Sequence, residues 1–425
     1  MKRIFIAIII LIAIILLANW WSGRIISSQI NIQLTEILGD DQAAGLNYDH
    51  INVSPILSQI TFNQFSYRHT NNVEFKAETI RTSLTYSDFL SLLFGNPSKA
   101  FNEISLLSMY INNSSWIDYN DSNEITLVDG FFILEGNIAE ILQAATQKRL
   151  PSIPFNLEVD MYELEDQDLN VSQSFLPSFE QSDRYDYIES ISGKFDYDPV
   201  LEEIHARDAL VKAPFLDLEF DGTASFDSVE WSFLPRNLNI NYTLNAQPIG
   251  VKFNIGPEIG QIAFDDMKVQ STTSFDTDDI QASLLNLLLS EGETLFHLSR
   301  IRIHPSDNIL QEYGMFSQTF GLDLESIFLN RVAGSYALEN NRLLLDDTKL
   351  ETDFFTATLD ADISLNEYWK QSVINEGSLQ VSDMSSDIEE FFNDIEVLFD
   401  TEWQRDNGDI LIYFGGSVSS PEIIK

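Results

Sequence analysis

The chain contains no cysteine. No disulfide can staple it and no thiolate can hold a metal, so the fold rests on packing even in an oxidising compartment. Positive charge is also scarce: 24 Lys plus Arg stand against 66 Asp plus Glu, a formal net charge of −42. Such a surface repels phosphate backbones, which excludes nucleic acid as a partner, and it disfavours broad adhesion to anionic headgroups. The acids are dispersed along the body, which fits solubility and identifies no cation site. No Pro/Ser/Gly-rich linker divides the 425 residues, so domain boundaries are soft.

Catalytic signatures are missing too. There is no G-x-S-x-G, no H-E-x-x-H, no G-x-x-x-x-G-K-[ST] and no G-x-G-x-x-G. The five histidines, His50, His69, His205, His297 and His304, show no ligand spacing with one another. His205 lies in EEIHARD beside Glu202, Glu203 and Asp208, a neighbourhood that chance supplies in so acidic a chain. The stretch His297 to His304 is locally basic and reads as a solvated strand face before it reads as a phosphate contact. Sequons at Asn112, Asn113, Asn170 and Asn241 bear only on a eukaryotic secretory route. The residues assign no catalytic site, metal or cofactor; an acidic hydrolase would require two carboxyls converging in a cleft.

What is abundant is apolar: 44% of residues, with 12% aromatic, ample for a large core. Ile4 to Trp21 carries no charge, and its first fifteen residues, Ile4 to Ala18, are all apolar. That length, closed by Trp20 and Trp21 and preceded by Lys2 and Arg3, predicts a membrane anchor with a cytoplasmic tip at residues 1–3 and an exported body. A cleaved signal peptide would need a small-x-small site, and Leu17-Ala18-Asn19-Trp20-Trp21 puts bulky residues there.

Beyond the anchor, Arg24 to Leu38 has helical spacing. From Leu46 the period becomes two, with a one-residue slip between Ile60-Phe62 and Phe65-Tyr67 that reads as a β-bulge. Val73-Phe75-Ala77 continues the alternation. Tyr86 to Phe94 predicts a short helix, Ile104 to Ile111 and Val128 to Leu134 strands, and Asn137 to Leu150 a helix stopped by Pro151 and Pro154. Strands then follow in series: Phe155 to Met161, Phe215 to Phe220, Val229 to Phe233, Leu238 to Leu244, Val251 to Ile255 and Ile262 to Val269. Ile280 to Leu289 reads as a helix. Val332 to Leu338 and Leu343 to Leu345 form a hairpin across Asn340-Asn341, and Phe354 to Leu365 is a further strand. Ser386 and Glu389 have capping-box spacing ahead of a helix with Phe391, Phe392 and Ile395 on its apolar side, and Asn407-Gly408 is a tight turn. Many strands with few helices between them mean antiparallel sheet.

The leader followed by GLNYDHINVSPILSQITFNQFSYR and VEFKAETIRTSLTYSDFLSLLFG resembles the start of AsmA-like proteins. VAGSYALENNRLLLDDTKLETDFFTATLDADISLN, EGSLQVSDM and DILIYFGGSVSSPEIIK resemble that family's C-terminal portion, with Gly416, Ser417 and Pro421 in the closing Gly-Ser and Pro places. The resemblance covers about half the chain and carries no catalytic residue. It implies a mainly β fold with a few helices: an N-terminal transmembrane helix, then an elongated, curved antiparallel sheet forming a groove for lipid tails. The expected arrangement is an anchor at 4–21, an AsmA-like β/α region at 22–150, a central β-rich region at 151–330 and an AsmA-like β region with an amphipathic helix at 331–425. The implied protein sits in the bacterial inner membrane with its body in the periplasm, partners membrane and acyl chains, and supports outer-membrane assembly.

Such a groove needs one apolar sheet face left partly unfilled, and the candidate lipid-facing positions are Ile60, Phe62, Phe65, Val73, Phe75, Ile104, Leu106, Phe155, Leu157 and Val159. If instead those residues meet one another, the alternation closes a β-sandwich and the protein is a non-catalytic envelope scaffold or interaction module.

Overall fold

A computed structural model describes residues 21, 23–24, 27, 45–68, 73–94, 97–119, 123–146, 149–166, 187–214, 216–226, 236–248, 252–256, 260–276, 291–311, 327–366, 371–399 and 402–424. These residues form 22 β-strands and four α-helices, and every strand register among them is antiparallel. They divide into two compact units. Unit 1 takes those within Met1–Asn170, Asp186–Pro214 and Asp221–Arg236; unit 2 takes those within Val171–Tyr185, Phe215–Phe220 and Asn237–Lys425. The position expected as a boundary near 150 falls inside unit 1, and the one near 330 falls inside a strand.

Unit 1 is a meander of β1 (Leu46–Asn47), β2 (His50–Ser54), β3 (Gln59–Arg68), β4 (Val73–Leu84), β5 (Leu106–Asp118), β6 (Asn123–Glu135), β7 (Phe155–Asp166), β8 (Tyr187–Asp198) and β9 (Glu203–Ala213). Each strand from β3 to β9 pairs with the next, and β1 and β2 both pair with β3. Short helices occupy two of the connections: α1 (Tyr86–Phe94) and α2 (Pro97–Asn102) between β4 and β5, and α3 (Ile138–Thr146) between β6 and β7. Thr85 Oγ1 caps α1 by accepting from the Asp88 amide at 3.2 Å, and Asn137 Oδ1 caps α3 by accepting from the Glu140 amide at 3.1 Å. These helices hold the most deeply buried side chains of the unit: Phe89 is 0% exposed beneath Val53 and Ile60, and Ile138 is 1% exposed. A tenth strand, β10 (Leu216–Ser225), follows β9 in sequence, with Leu216–Phe220 in unit 2 and Asp221–Ser225 in unit 1.

Unit 2 contains β11 (Asn237–Ala246), β12 (Phe253–Gly256), β13 (Gly260–Ala263), β14 (Asp266–Asp276), β15 (Glu291–Pro305), β16 (Ile327–Glu339), β17 (Arg342–Glu351), β18 (Thr356–Ser364), β19 (Val373–Ser382), β20 (Gln404–Asp406), β21 (Asp409–Ser417) and β22 (Ser420–Ile424), with α4 (Ser386–Phe399) between β19 and β20. Strand β11 pairs with β14, the β12–β13 hairpin and β14 share the edge of β15, β15 to β19 form a meander, and β19 and β20 both pair with β21. The two Asn-based hairpins form as read. Asn340 and Asn341 stand at φ 51° and 60°, and Asn407 and Gly408 at 53° and 100°, the left-handed pair a two-residue turn requires.

Some expectations are corrected. Ile262 to Val269 is two strands, β13 and β14, broken at Phe264 and Asp265. Phe264 turns into a core cluster with Ile301 and Leu329, while Asp265 pairs with Arg300 at 3.1 Å and Arg302 at 3.8 Å. The basic segment of β15 is thus committed within the chain. Ile104 precedes β5 instead of opening it. Ser386 is the first residue of α4, its hydroxyl directed to Asp387 in place of the Glu389 amide, which donates to the Ser385 carbonyl at 3.0 Å. The expected strand at Val229–Phe233, the helix at Ile280–Leu289 and residues 4–20 of the leader lie outside the described residues, as does the helix expected from Arg24 to Leu38 apart from Arg24 and Ser27. Among the described residues no helix is long and apolar enough to cross a membrane.

Candidate functional site: an open apolar sheet face

Antiparallel pairing turns single apolar positions of unit 1 into continuous rows. One row runs Phe62, Ile80, Ile111, Gly130, Met161, Ile191, Val211, each opposite the next, across seven strands. A second, nearer the helices, runs Leu84, Leu107, Leu134, Leu157, Phe195, Ala206. A third runs Phe65, Ala77, Ser114, Leu127, Leu164, Ile188.

The first and third rows are three residues apart along each strand, which strict alternation would send to opposite faces. They share a face because a seam of bulges crosses the sheet between them. Gln64, Asn113 and Glu163 take left-handed φ of 51°, 46° and 53° on alternate strands. At that level the ladder omits one pair in each couple from β3–β4 to β7–β8: Asn63 with Thr79 is followed by Phe65 with Ala77, and Asp129 with Tyr162 by Leu127 with Leu164. Asn113 Nδ2 donates to Glu78 across the seam at 2.7 Å. Each strand resets its phase at one level, so the apolar face continues past a crease that bends and twists the strands. One ring contact crosses the seam, Phe62 to Phe65 at 5.9 Å, and the row continues beyond it from Phe65 to Phe75 at 6.1 Å and Phe75 to Trp116 at 6.2 Å.

The face is uncharged away from the strand ends. Burial holds the Tyr48 and Tyr197 phenols above their ordinary pKa, which keeps them neutral as well. It is also open. Phe62, Phe65, Phe75, Met109, Phe132, Leu134, Leu157, Val159, Met161 and Phe195 are half-buried, and neither β6 nor β7 contributes a buried apolar side chain. A Cβ at Gly130 would stand 2.9 Å from both Leu127 Cδ2 and Phe132 Cε2, so glycine there lets those side chains lie low over the sheet. The opposite face mixes charge pairs, Lys194 with Glu158 at 2.7 Å and Arg207 with Asp196, with exposed Phe131 and Tyr162, and has a shallow hollow of about 290 Å³ lined by Phe131, Glu158, Asp160, Ser192, Lys194 and Asp208.

Of the ten candidate lipid-facing residues, Phe62, Phe65, Val73, Phe75, Phe155, Leu157 and Val159 gather on this half-open face. Ile60 points the same way but is 7% exposed, packed with Val53 and Phe89 under α1. Ile104 is 4% exposed and serves the helices, its carbonyl accepting from the Ile138 amide at 3.2 Å. Leu106 stands opposite Glu135, so alternation puts it on the other face from Leu107. The reading missed Met109, Phe132, Met161 and Phe195, which repeat the same alternation and were within reach of it. His205 lies 3.8 Å from Glu203 on an open strand, and among the described residues no group of three or more His, Asp or Glu is arranged to hold a metal.

No protein-family model, curated protein or solved structure matches this chain.

Proposed function

We propose that this chain is a non-enzymatic, AsmA-like protein, anchored in the bacterial inner membrane by Ile4–Trp21 with its body in the periplasm, whose open apolar face takes up lipid acyl chains and supports outer-membrane assembly. The observation that carries this reading is the uncharged apolar face of unit 1, which is only partly buried and has no buried apolar side chain on β6 and β7. Soluble proteins seldom leave a large contiguous apolar patch to water, and each acyl methylene buried there would contribute about 0.8 kcal/mol. The same exposure weighs against the sandwich scaffold, in which these side chains would fill one another's space.

The test is photo-crosslinking in cells from benzoylphenylalanine placed at Phe132 or Phe155, with Glu158, on the opposite face, as control. Lipid adducts at the first two positions and none at the third are expected. Protein adducts alone at Phe132 and Phe155 would replace lipid transfer with the scaffold reading.

A further inference from the structure

We infer that the turn joining β2 to β3, together with the start of α1, forms a tip that sits in the lipid interface beside the anchor, so that one end of the unit 1 face is held at the bilayer surface. The inference rests on the anchor proposed above.

Three apolar side chains stand out at this corner: Ile56 is 60% exposed, Leu57 65% and Tyr86 59%. They are neighbours. Ile56 and Leu57 belong to the single 3-10 turn Pro55–Leu57, and the Leu84 amide, two residues before Tyr86, donates to the Ser58 carbonyl at 3.0 Å. Such side chains lose free energy in water and have no reason to cluster unless something apolar meets them.

The chain itself indicates what meets them. Gly23 lies against Val53, where an added Cβ would stand 3.6 Å from the Val53 carbonyl oxygen. Val53 pairs with Ile60 at the same strand end as the tip. Gly23, two residues beyond the apolar run in sequence, therefore lies at this corner, and Trp21 is 65% exposed, a residue type suited to the headgroup level.

Charge agrees. In a chain of net charge −42, Ile51 to Tyr67 contains no charged residue and Thr82 to Ser98 contains only Asp88. The corner that would approach lipid is thus spared the acids that would oppose it. A shallow interfacial seat, with apolar side chains reaching the acyl boundary, matches these side chains.

The absence of cysteine makes the test direct. Single variants Ile56→Cys, Leu57→Cys and Tyr86→Cys of the full chain are labelled with an environment-sensitive fluorophore and reconstituted into phosphatidylcholine vesicles containing doxyl-labelled lipid. Ala18→Cys reports the leader. Tyr119→Cys, at the opposite strand end and roughly 40 Å away by strand rise, reports the aqueous side. Quenching at 56, 57 and 86 about three-fold or more above that at 119 is expected for interfacial seating. Quenching at 18 with the tip labels no different from 119 would overturn the tip alone and leave the anchor standing. No quenching at 18 would remove the anchor and the tip together. Since the three positions are exposed, the double variant Ile56→Asp/Leu57→Asp keeps its circular dichroism and releases the label at Tyr86 to water.

Discussion

Both units carry one and the same bulge lock, set in faces whose depth of packing differs from strand to strand. In unit 1, Asp208 takes φ 50° on β9 and its amide donates to the Asp221 carboxylate at 2.7 Å; in unit 2, Asp347 takes φ 45° on β17 and its amide donates to the Asp360 carboxylate at 2.8 Å. The two stretches, DALVKAPFLDLEFD and DTKLETDFFTATLD, have equal spacing between the two acids. In each, a left-handed residue leaves the ladder and an acid on the following strand receives its amide, which steadies a conformation that non-glycine residues disfavour.

Burial varies along both faces. In unit 2, Leu244 and Ile410 are 0% exposed, Val269 and Ile301 2% and Val381 3%, and unit 1 buries Ala77, Ile80, Ile111 and Ala209 in the same way; among the described residues β6 and β7 of unit 1, like β17 of unit 2, bury no apolar side chain. A shared backbone device therefore leaves open whether the face becomes a core or a surface. Unit 2 also sinks hydroxyls into its face. Tyr242, Ser271, Thr294 and Tyr336 stand opposite one another in one row, with Ser271 and Thr294 hydroxyls 2.8 Å apart. The Tyr242 side chain is 3% exposed with its hydroxyl beside Ser271, and burial pushes its pKa up to about 12.

The largest effects should come from exchanging the character of the two faces. Ile410→Ala is expected to cost about 2–5 kcal/mol, as truncations of fully packed aliphatic residues do, while Leu157→Ala, half-exposed already, costs about 1 kcal/mol; urea titrations of both compare them. Equal losses would mean that the face at Leu157 is as closed as that at Ile410. The matching gain of charge, Leu157→Glu, leaves the fold standing and abolishes the lipid adduct at Phe155.

Next in size is Tyr242→Phe. Removing this deeply buried hydroxyl should shift stability at neutral pH by no more than about 1 kcal/mol. Because the folded phenol holds its proton more tightly than the unfolded one, its contribution is complete below pH 10 and lost as pH rises from 10 through about 12. The variant should flatten denaturation midpoints over that window, and an unchanged alkaline slope would place the titration elsewhere.

Smaller again are the locks themselves. Asp221→Ala and Asp360→Ala should each cost about 0.5–1 kcal/mol, since both hydrogen bonds are exposed, with Asn at either position restoring most of it. A loss confined to one unit would break the equivalence of the two. The smallest change is electrostatic: the Arg342 guanidinium holds the Asp362 carboxyl down to about 2. Its contribution is present above the ordinary value near 3.8 and fades as pH falls through 2. Arg342→Ala should return the carboxyl to its ordinary range in a carbon-detected NMR titration.

Much of the local structure was legible. The slip between Phe62 and Phe65 announced the bulge at Gln64, Asn340-Asn341 and Asn407-Gly408 announced hairpins, and Tyr86–Phe94 announced a helix, because periodicity and turn chemistry act over a few residues. Ile104 and Leu106 misled because a strand's first residue decides the phase of all that follow, and only the pairing of Leu107 with Leu84 and Leu134 settles it. The break at Phe264 was equally hidden: the run is apolar enough for one strand, and the reason it bends is Arg300, distant in sequence and held by Asp265.

The sequence by itself determined an acidic, cysteine-free, antiparallel β protein with an apolar leader, since charge, thiol count and a period of two are properties of the chain. Tertiary pairing decided that seams of left-handed residues align across strands, that seven of the ten named apolar positions lie on the part-buried stretch of one face while Ile60 is covered there and Ile104 and Leu106 lie off it, and that burial changes from strand to strand in both units. Exposure belongs to no residue alone; it depends on which neighbours the register delivers.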